Sequence, residues 1–316
     1  MQAATAATVR HFERAQLDNF NGRLTELSSN ATRKTSANKQ CGGVSMWAAG
    51  LSGLGTYKGP DGFEYNNSGT SIGGDRCFGS GSTVAGFGVG YGREHSKLNG
   101  DGSVMRATAA TGATYGSLQL IPSLRFSWVA GVNQIDSNFD RYISINKTFG
   151  HGKWSGKQYL SSGSISHEIK FDQLFFVPFF KLDLSKLTLD PYAETGGGAY
   201  GLSYQAQTMS SQRATLGFNG EYTLNTSFGE LTPRMRIEYQ RDSARRNPLK
   251  VSYADGADDL TYVIPADELD RRALLASMGA ELVLKNGAIF ILNYAYSSSN
   301  GGNKSGALQL RVSYKF

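Results

Sequence analysis

From residue 43 to its end the chain alternates between apolar and polar side chains. In LTPRMRIEYQ (231–240), Leu231, Pro233, Met235, Ile237 and Tyr239 fall on one side of an extended strand, and Thr232, Arg234, Arg236, Glu238 and Gln240 on the other. The terminal GALQLRVSYKF repeats the pattern, with Leu308, Leu310, Val312, Tyr314 and Phe316 opposed to Gln309, Arg311, Ser313 and Lys315. One greasy face and one charged face over ~10 residues, ending in aromatics, is the signature of a strand that crosses an outer membrane. Such segments fall at roughly 43–57, 63–78, 81–97, 102–120, 122–136, 157–171, 174–189, 199–224, 230–242, 267–284, 288–297 and 305–316. Short turns separate some of them (79–81, 121–123, 171–173, 225–230, 285–287), and longer polar loops others (137–156, 243–266). Short turns at one end and long loops at the other predict a twelve-stranded antiparallel outer-membrane β-barrel, whose even strand count lets the last strand close on the first.

The opening residues have a different period. AATAATVRHFERAQLDNFNGRLTELS is Ala-rich and free of Pro, with Val9, Phe12, Phe20, Leu24 and Leu27 at mostly helical spacing and charges distributed around them. It predicts one helix, weakened at Gly22, running on the order of 40 Å at ~1.5 Å per residue. A helix polar on most sides cannot face lipid, so it belongs inside the barrel or on a soluble core. The expected organisation is a helix over 1–30, a polar linker over 31–42 and the barrel over 43–316.

Composition narrows the field. With 39 Gly, 17 Phe, 16 Tyr and 7 Pro among 316 residues, the chain is built for strands and tight turns. Its longest apolar runs, such as LFFVPFF (174–180), fall far short of the ~20 residues a transmembrane helix needs. The net charge of +6 comes from scattered Lys and Arg without a basic block, which argues against nucleic acid. His11, His95, His151 and His167 have no metal-pair spacing, Cys41 and Cys77 fit no zinc motif, and Ser166 and His167 point to opposite faces of one strand. Neither a cofactor nor an enzymatic activity is expected. The glycines of GGDRCFGSGS and FGVGYG lie in strand context and predict close packing or curvature rather than a phosphate loop.

The terminal LQLRVSYKF, the block QRATLGFNGEYTLNTSFGELTPRMRIEYQRD (212–242), DPYAETGGGAYGLSY (190–204) and the helix-plus-linker before the first strand together resemble the translocator (β) domain of a classical, type Va autotransporter. The resemblance covers nearly the whole chain and implies a twelve-stranded barrel in the Gram-negative outer membrane. Its helix would thread the pore, continuous with an N-terminal passenger carried to the cell surface, and would plug the pore afterwards. The implied partners are that passenger, the barrel-assembly machinery, which would read Leu308, Leu310, Val312, Tyr314 and Phe316, and outer-membrane lipid. A general porin, the main alternative, would lack the plug helix. AQLDNFNGRLTELSSN is similar to the segment cut inside the barrel in the self-cleaving subgroup, with Asp18 before Asn19 at the junction. Of the acidic wall positions of that subgroup, Asp75 is retained, while Ser127, Ser166 and Lys181 stand at the others. Cleavage is therefore not expected.

Several further expectations rest on alternation and register. Lys181, Asp183, Glu221, Arg234, Arg236, Glu238, Glu281 and Arg311 should line the lumen and offer both signs of charge to Arg14, Arg23 and Glu26 of the helix. A hairpin about GPDG (59–62), with Tyr57 opposite Phe63, gives paired residue numbers summing to 120. Cys41 and Cys77 sum to 118, which predicts a disulfide at the periplasmic base. Arg241, Arg245, Arg246 and Lys250 fall in or beside a long outer loop, where lipopolysaccharide phosphates are the candidate contact. The barrel is expected to be a monomer.

Overall fold

The computed structural model describes residues 2–33, 43–58, 62–79, 83–98, 100, 102–255, 260–265 and 271–315. A helix, α1 (Gln2–Arg33), precedes twelve long strands: β1 (Val44–Tyr57), β2 (Phe63–Phe78), β3 (Thr83–Leu98), β4 (Val104–Ile121), β5 (Leu124–Ile143), β6 (Thr148–His167), β7 (Leu174–Leu189), β8 (Gln207–Tyr222), β9 (Gly229–Asp242), β10 (Arg272–Leu284), β11 (Ile289–Ser299) and β12 (Lys304–Lys315). Each pairs antiparallel with the next, and β12 pairs with β1 from Ser45↔Lys315 to Thr56↔Lys304, so the sheet closes. Closure satisfies the backbone groups that an open edge would leave bare in lipid.

The outward residues of these strands form an apolar belt. Met46, Ile72, Phe87, Phe180, Leu216, Met278, Leu292 and Leu310 are all exposed. So large a greasy surface is stable facing hydrocarbon and unstable facing water. No helix among the described residues is long and apolar enough to cross a membrane.

The segment 137–156, expected as a loop, is instead wall. β5 continues to Ile143 and β6 starts at Thr148, with only 144–147 between them. Alternation persists there with its sense reversed: Ile135, Phe139 and Trp154 point inward and are buried, while Asp136, Asn138, His151 and Lys153 point outward. On that outer surface His151 pairs with Asp140 (2.7 Å) and Ser155 donates to Asp136 (2.6 Å). The barrel therefore rises past the lipid belt into water, and the apolar face turns inward where lipid no longer covers it. The segment 199–224 also differs from expectation. β8 starts only at Gln207, and Leu202–Tyr204 joins Tyr192–Ala193, Leu249–Tyr253 and Tyr262–Ile264 in a separate four-stranded sheet at the same end. There Arg141 grips Glu194 through two hydrogen bonds (2.8 and 2.6 Å). Burial and the neighbouring Glu194 carboxylate push the Tyr204 phenol up, so it stays a neutral donor to Glu194 Oε1 at 3.1 Å.

α1 lies inside the barrel, and its composition follows the wall it meets. At the outer end Ala3, Ala4, Ala6, Ala7, Val9 and Phe12 share a core with the inward Phe63, Met105, Ile135, Phe139, Trp154 and Leu187. Towards the base, where the lumen wall becomes polar, Glu13, Gln16, Asn19, Arg23 and Glu26 are buried. The helix is off centre, its backbone closest to β1–β5. Its seat is a ridge of inward glycines on β3: a methyl at Gly88 would lie 2.8 Å from the Phe20 ring, one at Gly92 would lie 3.0 Å from Phe12, and one at Gly90 would run into Gln16.

Candidate functional site: the plugged pore

The base of the helix is fastened by charges and amides that reach it from several strands. Arg23 makes a bidentate pair with Asp75 of β2, Nε to Oδ2 at 2.8 Å and Nη2 to Oδ1 at 2.9 Å, and also bonds Glu26 one turn on. Tyr115 donates to Asp75 (3.0 Å) and accepts from Trp47 Nε1 (2.5 Å), so the carboxylate is held from both sides. Arg311 of β12 lies against Gly22, where a methyl would collide with its guanidinium, and Nη2 donates to the Asn19 carbonyl at 3.0 Å. Gly22, which weakens the helix in isolation, thus admits the arginine that ties it to the closing strand. Ser313 donates to Glu26 (2.5 Å), and the Asn19 side chain donates to Ser71 (2.8 Å) and accepts from Gln309 (2.8 Å).

Nearer the outer end Thr8 donates to Glu94 (2.6 Å) and His11 Nδ1 lies 2.9 Å from the same carboxylate. Glu13 accepts from Ser185 (2.6 Å) and Gln158 (3.2 Å) and lies 3.7 Å from Arg213, while Arg10 lies 3.3 Å from Asp242. Taken alone, each such pair recovers little more than the desolvation of its members. A sequence of them over the length of the helix fixes its register in the lumen.

Of the residues named from alternation, Lys181, Asp183, Glu221, Glu238, Glu281 and Arg311 are buried and Arg234 and Arg236 line a cavity beside the helix, and they pair mainly with one another. Arg234 lies 2.8 Å from Glu281 and 3.4 Å from Glu221, Arg236 bonds Glu238, and Lys181 lies 3.5 Å from Asp183. Of the expected pairs with the helix, Arg311 stands 4.0 Å from Glu26. Arg23 takes Asp75 instead, and Arg14 bonds the amide of Gln240. The residues that hold the outer half, Glu94, Arg213 and Asp242, were not anticipated. Their signal was present as inward charges on β3, β8 and β9, but which helix residue each meets is set by how deep the helix sits.

The residues compared with the self-cleaving subgroup do not converge. Asp18 has Lys181 Nζ at 4.0 Å, whereas Asp75 is engaged by Arg23 and Tyr115. Ser127, Ser166 and Lys181 line a small cavity near the base, and Asp18 lines a different one. Among the described residues no group of three or more His, Cys, Asp or Glu could hold a metal. Cys41 and Phe316 lie outside the described residues. The β1–β2 register does sum to 120, as in Val44↔Arg76, two more than the sum of 41 and 77.

The overall fold is shared with known proteins. A family model described as the autotransporter beta-domain matches residues 46–295. Among solved structures, the translocator domain of the autotransporter NalP from Neisseria meningitidis superposes with a TM-score of 0.72 at 16% identity, covering 96% of each chain. The beta domain of the Bordetella autotransporter BrkA gives 0.68 at 13% identity, covering 87% of this chain and 100% of that one. The transport unit of AIDA-I from Escherichia coli gives 0.54 at 14% identity, with 94% and 98% covered. No match is found among curated protein sequences. With the family model spanning most of the strands, and the lumen holding the helix that precedes them, the chain belongs to the autotransporter β-domain family and is an outer-membrane translocator.

Proposed function

We propose that α1 is the trailing segment of a passenger that crosses the barrel N-terminus outward and leaves this helix behind as the plug. The observation that carries the reading is the direction of α1. Its residues 23–29 meet Asp75, Ser313, Glu221 and Glu168 at the end where β1 begins, and residues 8–11 meet Glu94 and Asp242 at the end bearing the small sheet. Anything joined ahead of Gln2 therefore emerges on that outer side. An epitope fused ahead of residue 2 should be labelled on intact cells; an assembled barrel whose epitope stays inaccessible until the outer membrane is broken would refute the reading.

The partners follow from the same arrangement. The barrel-assembly machinery receives β12, whose outward Leu308, Leu310, Val312 and Tyr314 lead to Phe316, and pairs its edge before β1 does. Arg241 and Lys250, exposed at the outer end, suit lipopolysaccharide phosphates. The barrel works as a monomer, since its sheet has no open edge to share. The Asp18–Asn19 bond stays intact, because the side chain placed to attack the Asp18 carbonyl is the carboxyl group of Asp18 itself, a poor nucleophile toward an amide carbonyl, and it lies 4.0 Å from Lys181 Nζ. A disulfide between Cys41 and Cys77 would anchor the linker to the base, and peptide mass spectrometry without reduction detects it.

A further inference from the structure

Three cavities lie end to end along one side of the helix. The outer, about 130 Å³, is bounded on the helix by Ala7, Arg10, His11 and Arg14. The middle, about 180 Å³, meets His11, Arg14, Asp18, Asn21 and Thr25, and the inner, about 50 Å³, meets Asn21, Thr25, Ser28 and Ser29. Positions 7, 11, 14, 18, 21, 25 and 28 recur by threes and fours, so they form a single stripe ~32 Å long at ~1.5 Å per residue. That length matches the ~30 Å hydrocarbon core of a bilayer. Neighbouring cavities share walls, Arg14 and Tyr65 between outer and middle, Asn21 and Glu221 between middle and inner. The opposite face of the helix is the one seated on the β3 glycines.

We propose that the plugged barrel keeps a side passage along this stripe and that the passage conducts small inorganic anions in preference to cations. The proposal rests on α1 being the resident plug. Below Ala7 the stripe is His, Arg, Asp, Asn, Thr and Ser, so water and ions meet polar side chains along the helix side of the cavities. The sign of the charge at the mouth sets the preference. Arg10, Arg14, Arg213, Arg271, Arg272 and Lys304 line the outer cavity, and Asp242 is the one carboxylate among its described lining residues. Arg10 and Arg213 share Asp242 at 3.3 and 3.8 Å, and Arg213 also approaches Glu13 and Asp183. Arg14 reaches across to the uncharged amide of Gln240 on β9, at the junction of the outer and middle cavities. An ion passing that junction meets a guanidinium whose hydrogen-bond partner carries no charge. Low-dielectric walls focus such a field, raising anion concentration and excluding cations.

The test is reversal potential in planar bilayers under a KCl gradient, with the full chain. The expected result is a small conductance with the reversal potential displaced towards chloride, moved towards zero by Arg14→Gln and to the potassium side by Arg14→Glu. Asp18→Trp, which fills the middle cavity, should abolish the current. Should Arg14→Glu fail to assemble, Arg272→Glu with Lys304→Glu at the mouth carries the same expectation. A potassium-preferring or unselective current in the unaltered chain, or charge reversal without effect, overturns the proposal. So does a silent intact chain beside a conducting barrel that lacks residues 1–33, although the plug reading survives that outcome. A helix-deleted barrel that conducts no better than the intact chain removes the plug reading and the proposal together.

Discussion

Asp75 and Arg23 are 3% and 2% exposed, so neither side chain has water to fall back on. Replacing Asp75 by Ala leaves a buried guanidinium with Glu26 as its remaining carboxylate neighbour, a loss of about 3–5 kcal/mol by comparison with other broken buried pairs. The temperature at which the folded, fast-migrating band disappears on electrophoresis should fall accordingly. Removing both charges, as Arg23→Leu with Asp75→Leu, should recover much of the loss, because the guanidinium is gone and Glu26, which it also bonded, keeps the Ser313 hydroxyl and Arg311 at 4.0 Å. Equal damage from the single and the double variants would show that this pair is not what holds the base of the helix. Much of the polar lumen was readable residue by residue. Arg234, Arg236 and Glu238 alternate with Pro233, Met235 and Ile237, and strand geometry sends the two sets to opposite faces. What alternation cannot supply is the partner. Arg23 and Asp75 are 52 positions apart, on a helix and a strand, and their meeting depends on the depth at which α1 is seated.

That depth is decided between two elements, α1 and β3. The inward glycines of FGVGYG were legible as sites of close approach, but the rings of Phe12 and Phe20 that fill them were not. Gly88→Val should lift the helix from its seat, lowering the unfolding temperature and raising bilayer conductance. Gly112→Val on β4, where an added methyl meets nothing within 4 Å, should leave both unchanged. Equal behaviour of the two variants would mean the ridge is not the seat. β5 and β6 show where strand reading failed for a physical reason. Beyond the lipid belt the same period of two continues, but Ile135, Phe139 and Trp154 now point inward and Asp136, Asn138 and Lys153 outward. Matching the pattern of a lipid-facing strand therefore finds the strand in one half and a polar loop in the other. The small outer sheet escaped for a simpler reason, since strands of two to five residues are too short for any period to register.

For the whole molecule, strand number and closure were legible because each crossing needs its own ~10 residues of alternation, and an even count brings the last strand back to the first. β12 supplies that closure through its pairing with β1, and Phe316 follows its outward Leu308, Leu310, Val312 and Tyr314. Deleting Phe316 should lower the amount of assembled barrel in cells while leaving detergent refolding intact; normal surface levels would contradict its part in insertion. The central claim is that α1 occupies the lumen of a translocator and blocks most of it, and bilayer conductance with and without residues 1–33 tests it most directly. Removing the helix should raise single-channel conductance several-fold, to that of an open barrel. A channel of the same conductance with and without the helix would contradict the account.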